Sequence, residues 1–126
     1  MAAGDLGEVA TEHFLHRRNV GEIGDADFTG RFGVAGEGNY MVIYVKMGER
    51  DVIAEARFLT YGCPAAIAAG SALTTWLIGK TLAEARELTA ADLGRQLPEF
   101  PPTKEHCLRL AVNALQVALN EGLGRL

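Results

Sequence analysis

The sequence predicts an α+β fold in which a three-stranded antiparallel sheet carries its helices on one face and the chain ends in a long helix. Runs rich in β-branched and aromatic residues lie in the first half of the chain, and Ala- and Leu-rich helical patterns fill the second. Because strands come first and helices follow, the helices should be segregated to one side of the sheet. With 126 residues we expect a single domain spanning residues 1–126.

The first half of the chain contains one helix and then the strands. Asp5 can cap a helix from Leu6 to Arg17, whose apolar residues recur at helical spacing. The segment between Val34 and Tyr40 holds two glycines and should be a loop. The strands are predicted around Phe28 to Val34, from Tyr40 to Met47 and from Val52 to Tyr61, the last two joined by a polar hairpin turn.

The second half of the chain is predicted to be helical throughout. A helix begins at Pro64, a residue suited to the first helical position, and ends at Gly79. Thr81 and Glu84 form a capping box for a short helix reaching Leu88. Two further helices are predicted from Thr89 to Leu97 and, capped by Thr103, from Lys104 to Asn120.

Composition excludes several functional classes. Twelve basic and sixteen acidic residues give a formal charge of 12 − 16 = −4, and no basic run offers a surface for nucleic acid or anionic lipid. No stretch reaches the roughly 18 apolar residues of a membrane span, and the first residues do not form a signal peptide. We therefore expect a cytoplasmic protein whose two cysteines are reduced thiols.

Cys63 stands where a strand ends and a helix begins. If Pro64 is the first helical residue, Cys63 is the N-cap, where the helix dipole and free N–H groups favour a thiolate. A thiolate binds soft metals and attacks sulfane sulfur. The alternative is that Cys63 is merely a small residue at a tight junction, and local context leaves both interpretations open.

Cys107 also falls near the start of a helix, and we expect it to share the character of Cys63. His106 precedes it and could converge on the same ligand, although taken alone His106 is better interpreted as a surface histidine in the first turn. Lys104, a cation that opposes the helix dipole, is either solvated or faces the thiolates and neutralises them. The 44-residue interval between the cysteines is a weak signal on its own.

Several short motifs occur in a characteristic order along nearly the whole chain. They are Phe14, Arg18-Asn19-Val20-Gly21, Ala56-Arg57-Phe58, Tyr61-Gly62-Cys63, Ala65-Ala66-Ile67-Ala68, Ser71, Gly79-Lys80-Thr81-Leu82 and Pro101-Pro102-Thr103-Lys104-Glu105-His106-Cys107. Together they resemble the IscU and NifU N-terminal family of iron–sulfur cluster assembly scaffolds. The resemblance implies the same α+β fold.

The resemblance also implies a site, from which this chain departs in one loop. The family uses three cysteines, an aspartate and a histidine; Cys63, His106 and Cys107 match the second cysteine, the histidine and the third cysteine. The family's Cys-Gly-Asp loop reads Glu37-Gly38-Asn39 here. By this resemblance Cys63 and Cys107 accept sulfur, the ligands of a metal are Cys63, His106, Cys107 and Glu37, and Asn39 and Lys104 lie beside them.

The altered ligand set leaves three functions open. The first is a variant scaffold or carrier for iron or a [2Fe–2S] cluster, which a hard carboxylate would hold less firmly than a third thiolate. The second is a zinc site, and the third is an interaction protein of the assembly machinery without a cluster of its own. The sequence shows no hydrolase triad, P-loop or dinucleotide fingerprint, so we do not expect an enzyme.

The resemblance further implies partners. A cysteine desulfurase would supply sulfur, and apo iron–sulfur proteins would receive the product. The family's Leu-Pro-Pro-Val-Lys motif, which binds an Hsp70-type chaperone, reads Phe100-Pro101-Pro102-Thr103-Lys104 here. Chaperone binding at Phe100–Lys104 is therefore an expectation that two substitutions weaken.

Overall fold

A three-stranded antiparallel sheet organises the structure, a computed structural model that describes residues 6–33 and 38–124. The strand order is β1-β2-β3, so each strand pairs with its neighbour along the chain. In the central pairing Ile43 lies opposite Phe58, and the register shifts by a bulge between Lys46 and Met47. The strands are β1 (Phe28–Phe32), β2 (Tyr40–Met47) and β3 (Ile53–Tyr61).

Five α-helices and two short 3₁₀ turns complete the described part of the chain. The helices are α1 (Glu8–Leu15), α2 (Pro64–Leu77), α3 (Leu82–Glu87), α4 (Ala90–Arg95) and α5 (Glu105–Gly124), and the turns are Glu49–Asp51 and Pro102–Lys104. The predicted α+β class, the antiparallel sheet and the long last helix are confirmed. No helix within the described ranges is both long and apolar enough to cross a membrane.

The two long helices pack on the same face of the sheet. Gly30, Ile43 and Phe58 form one row across the three strands. A Cβ at Gly30 would lie 2.2 Å from the backbone nitrogen of Ala118 on α5. A Cβ at Gly70 on α2 would likewise lie 2.4 Å from the Phe58 ring. Both helices therefore approach the same row, one on the backbone of β1 and the other on a side chain of β3.

The predicted bounds of the first and last helices are corrected. The first helix spans Glu8–Leu15 instead of Leu6 to Arg17; its N-cap is Gly7, and Asp5 lies outside the described residues. Thr103 does not cap the last helix, because Pro102–Lys104 forms a 3₁₀ turn and the α-helix begins at Glu105. Proline fixes φ and has no backbone N–H, so it suits the first position of a helical turn. Pro102 therefore starts the 3₁₀ turn, and Thr103 lies inside that turn instead of at the start of α5.

Short helices begin where the sequence places them. Thr81 and Glu84 form the predicted capping box of α3, and Thr89 and Asp92 form a second one at the start of α4. In each case the threonine hydroxyl accepts a backbone N–H while the acidic side chain accepts the threonine's own N–H. These helices lead the chain from the end of α2 back to the turn before α5.

Candidate functional site

Cys63 is the N-cap of α2, as predicted. Its backbone is extended, with φ −79° and ψ 171°, and Pro64 occupies the first helical position. The Cys63 carbonyl accepts hydrogen bonds from the N–H groups of Ala66 at 3.0 Å and Ile67 at 3.2 Å. The side chain is half-buried, so the thiol stays accessible from outside while it lies over the start of the helix.

Cys107 approaches the same point from α5. It is the third residue of that helix and is fully buried. Its Sγ atom lies 3.8 Å from the Sγ atom of Cys63. Two thiolates bound at about 2.3 Å to one tetrahedral ion would be about 3.8 Å apart. The fold therefore brings together two sulfur atoms that the sequence separates by 44 positions, at a spacing that suits a shared ion.

The two thiols differ in acidity. For Cys63, burial raises the pKa, but the nearby backbone N–H groups of Ala66 and Ala65, contact with Cys107 and the charge of Lys104 outweigh it and lower the pKa. For Cys107, burial and the neighbouring Cys63 raise the pKa to about 12. The expectation that both cysteines have the same character is wrong, because only Cys63 lies at the exposed helix terminus.

Asn39, in the loop after β1, contacts Cys107 and lies against Gly62, the residue before Cys63. Its Nδ2 atom donates to Cys107 Sγ at 3.8 Å. Its amide also lies against Gly62, where a Cβ would come within 2.8 Å of Asn39 Oδ1. A side chain at position 62 would therefore require the Asn39 amide to shift. Asn39 keeps a neutral hydrogen-bond donor beside the thiols, where the family resemblance leads one to expect a carboxylate.

Among the described residues, His106 does not join the two thiols in a group that could hold a metal ion. It is exposed and lines a cavity of about 530 Å³ together with Phe32, Asn39, Arg109, Leu110 and Asn113. Within residues 6–33 and 38–124, no three His, Cys, Asp or Glu side chains are close enough together to hold a metal ion. Glu37 lies outside the described residues. The four-ligand set thus stays a prediction, of which the structure brings together the two cysteines.

Lys104 acts on both thiols through its charge. It is the last residue of the 3₁₀ turn and not the first residue of the helix, and it is half-buried. The positive charge lowers the pKa of Cys63 and opposes the rise in the pKa of Cys107. This agrees with the interpretation in which Lys104 faces the thiols.

Sequence reasoning missed Arg109 and Asn113. They follow His106 at intervals of three and seven residues, which places all three on one side of α5. The sequence spacing alone could have indicated that these three residues share one side of α5. The cavity that they line with Asn39 could not be predicted from sequence, because it depends on where α5 crosses the end of β1.

Comparison with known proteins identifies the class of protein that this fold and thiol pair define. The family model described as "NifU-like N terminal domain" matches residues 6–125. The chain belongs to this family.

Characterised relatives include the iron–sulfur cluster assembly scaffold protein IscU of Aquifex aeolicus, which is 39% identical over 94% of this chain and 76% of its own length. The protein of the same name in Escherichia coli is 37% identical over 89% of each chain. A Drosophila melanogaster relative, 38% identical over 89% of this chain and 74% of its own, is named an iron–sulfur cluster assembly enzyme. The scaffold names agree with the expectation of a protein that is not an enzyme.

Solved structures share the fold. A candidate iron–sulfur cluster assembly scaffold protein for the SUF system of Fervidobacterium islandicum AW-1 superimposes with a TM-score of 0.72 at 20% identity, over 94% of this chain and 99% of that one. The N-terminal part of a NifU-like protein from Brucella abortus gives 0.69 at 17% identity, with 97% of each chain covered. At these identities the likeness concerns the fold.

Proposed function

We propose that this chain is a variant scaffold or carrier in iron–sulfur cluster assembly, which accepts sulfur on Cys63 and Cys107 and holds iron or a [2Fe–2S] cluster as cargo. The observation that carries the proposal is the 3.8 Å approach of the two Sγ atoms. Relatives more than a third identical are named as assembly scaffolds, which supports the same function.

Acceptance of sulfur would begin at Cys63. A thiolate is the form that attacks sulfane sulfur, and the lowered pKa of Cys63 favours that form. The thiol is half-buried at the end of β3, so a donor can reach it. We infer that a cysteine desulfurase supplies this sulfur and that apo iron–sulfur proteins receive the product.

Metal would be held by the two thiolates together with His106 and Glu37. The described side chains supply two soft ligands at a spacing that suits one ion. His106, which lines the cavity beside Asn39, would have to come close to both sulfur atoms. A set with two thiolates, one imidazole and one carboxylate is also a closed set for zinc, which makes a mononuclear zinc site the second candidate.

The segment Phe100–Lys104 is a candidate chaperone site. Pro102 and Thr103 are exposed, and Phe100 is partly buried against the core. The segment ends three residues before Cys107, so an Hsp70-type chaperone bound there would lie beside the thiols. This placement supports handover of cargo under the control of a chaperone.

Anaerobic reconstitution with iron and a sulfur source tests the proposal, with visible absorption and Mössbauer spectroscopy as readouts. The wild-type protein should acquire cluster absorption, Cys63→Ser should lose it, and Glu37→Ala should release the cargo faster. Glu49→Ala, in the exposed hairpin turn, is the matched control. Stoichiometric zinc with no visible absorption would favour the second candidate. Neither metal nor cluster, together with partner affinity that survives loss of both cysteines, would leave only an interaction protein.

A further inference from the structure

The chain's two cysteines are in van der Waals contact but lie at different depths. The Sγ atoms are 3.8 Å apart, whereas a disulfide bond is about 2.05 Å long. Movement of less than about 2 Å would therefore join them. Cys63 is half-buried at the mouth of the site, and Cys107 is fully buried behind it.

This difference in depth separates the roles of the two thiols. A sulfur donor from outside reaches Cys63 first, because Cys107 has no exposed surface. A persulfide formed on Cys63 then lies in contact with the thiol of Cys107. An accessible attacking thiol backed by a buried partner is the arrangement that dithiol redox pairs use.

We propose that Cys107 resolves a persulfide on Cys63, so that the pair itself reduces sulfane sulfur to sulfide and ends as an intramolecular disulfide. The inference rests on the proposed function, since it needs sulfur to arrive at Cys63. It assigns different tasks to two residues that would otherwise be interchangeable sulfur acceptors.

The step balances without an outside reductant. The Cys107 sulfur attacks Cys63 Sγ, a new bond joins the two cysteines, and the bond from Cys63 to the terminal sulfur breaks. The terminal sulfur takes both electrons of the broken bond and leaves as HS⁻ with the proton of the Cys107 thiol. Sulfane sulfur is reduced by two electrons, and the two cysteines are oxidised to a disulfide.

The surroundings of the pair suit an anionic leaving group. The positive charge of Lys104 acts on both sulfur atoms and would stabilise sulfide as it forms. Asn39 donates a hydrogen bond to Cys107 Sγ and keeps that thiol beside Cys63. Each turnover consumes the dithiol, so a dithiol reductant would have to restore it before the next sulfur atom.

Intact-mass spectrometry after an anaerobic pulse of inorganic polysulfide tests the proposal. The donor is removed by gel filtration in thiol-free buffer, and the protein is then followed over time, with a sample never exposed to polysulfide as the oxidation control. Wild-type protein should lose two hydrogens, and peptide mapping should find Cys63 linked to Cys107. Cys107→Ala should instead keep one added sulfur atom on Cys63.

Each remaining outcome overturns the proposal in a recognisable way. If wild-type protein keeps its added sulfur as long as Cys107→Ala does, the resolving step is wrong while the sulfur-accepting function stands. If neither protein takes up sulfur, the proposed function fails and the inference with it. Disulfides that join two chains would also contradict the intramolecular step. Should Cys107→Ala not fold, the wild-type mass and peptide map decide alone.

Discussion

His13 on α1 lies against Ser71 on α2, with 2.8 Å between His13 Nδ1 and Ser71 Oγ. Ser71 is fully buried, and its Oγ accepts the backbone N–H of Arg18 at 3.0 Å. Nδ1 of His13 is also 3.0 Å from Arg18 Nη1, and a guanidinium can only donate. We therefore assign the neutral tautomer of His13 with its proton on Nε2.

This relationship predicts a loss of stability in mild acid. Burial and the nearby positive charge of Arg18 lower the pKa of His13 below its ordinary value of 6.5. The unfolded chain then binds a proton more readily than the folded one, so stability is full above about pH 6.5 and falls as pH drops through the folded pKa. Urea unfolding at pH 7.5 and at about pH 5.5 should show the difference.

His13→Gln should lose less stability between those two pH values than the wild-type protein. His16→Gln is the matched control, because His16 is exposed at the end of the same helix. An equal pH dependence in wild type and His13→Gln would show that the contact between His13 and Ser71 does not govern it.

Gly30 should not accept a side chain. The Cβ of an alanine would lie 2.2 Å from the nitrogen and 2.7 Å from the Cα of Ala118, and these are backbone atoms that cannot swing aside. Gly30→Ala should therefore lower the free energy of unfolding by about 2 kcal/mol or more, as overpacked cores do. Gly24→Ala meets no atom within 4 Å and should stay within about 0.5 kcal/mol of wild type. Equal stabilities would mean that α5 does not rest on β1 as described.

The Thr81 capping box should contribute measurably to stability. Thr81 Oγ1 accepts the Glu84 N–H at 3.2 Å, and Glu84 Oε1 accepts the Thr81 N–H at 3.0 Å. Thr81→Ala should cost about 1 kcal/mol of unfolding free energy. Thr103→Ala is the informative comparison, because the turn Pro102–Lys104 has no side-chain cap and the change should cost about 0.5 kcal/mol or less. A larger loss of unfolding free energy for Thr103→Ala would indicate that Thr103 caps the last helix, as the sequence predicts.

The two thiols should alkylate at different rates. Cys63 is half-buried with a lowered pKa, whereas the pKa of Cys107 is raised to about 12, so iodoacetamide near pH 7.5 should modify Cys63 first. Lys104→Gln removes a positive charge that favours the Cys63 thiolate and should shift its rate profile to higher pH. Lys80→Gln, which alters a cation over the Trp76 ring, should leave the profile unchanged. Faster labelling of Cys107, read by peptide mapping, would contradict the assignment.

Local sequence signals predicted the strands and most helix starts, but not how deeply each side chain is buried. The run from Tyr40 to Met47 matched β2 because its β-branched and aromatic residues suit a strand whatever packs on it. Pro64 and the Thr81 box fixed helix starts through backbone chemistry alone. The burial of Cys107 depends on how α5 is rotated against the rest of the fold, which no local pattern encodes.

The site was predicted in part for the same reason. Helix-start chemistry placed Cys63, and the family resemblance paired it with Cys107. The donor role of Asn39 and the place of His106 in the cavity required the end of β1, the loop and α5 to be placed together. The predicted ligand Glu37 lies outside the described residues, so its role stays a prediction.

The close seat of α5 on Gly30 reaches further than stability. Cys107 precedes Ala118 by eleven residues on the same helix, or about 16 Å along its axis. Because an α-helix is stiff, a displacement of its backbone near Ala118 also moves its first turn, where Cys107 lies. The distance between the two sulfur atoms therefore depends partly on Gly30, which contacts neither of them. A substitution at position 30 would change that distance even though both cysteines remained in the sequence.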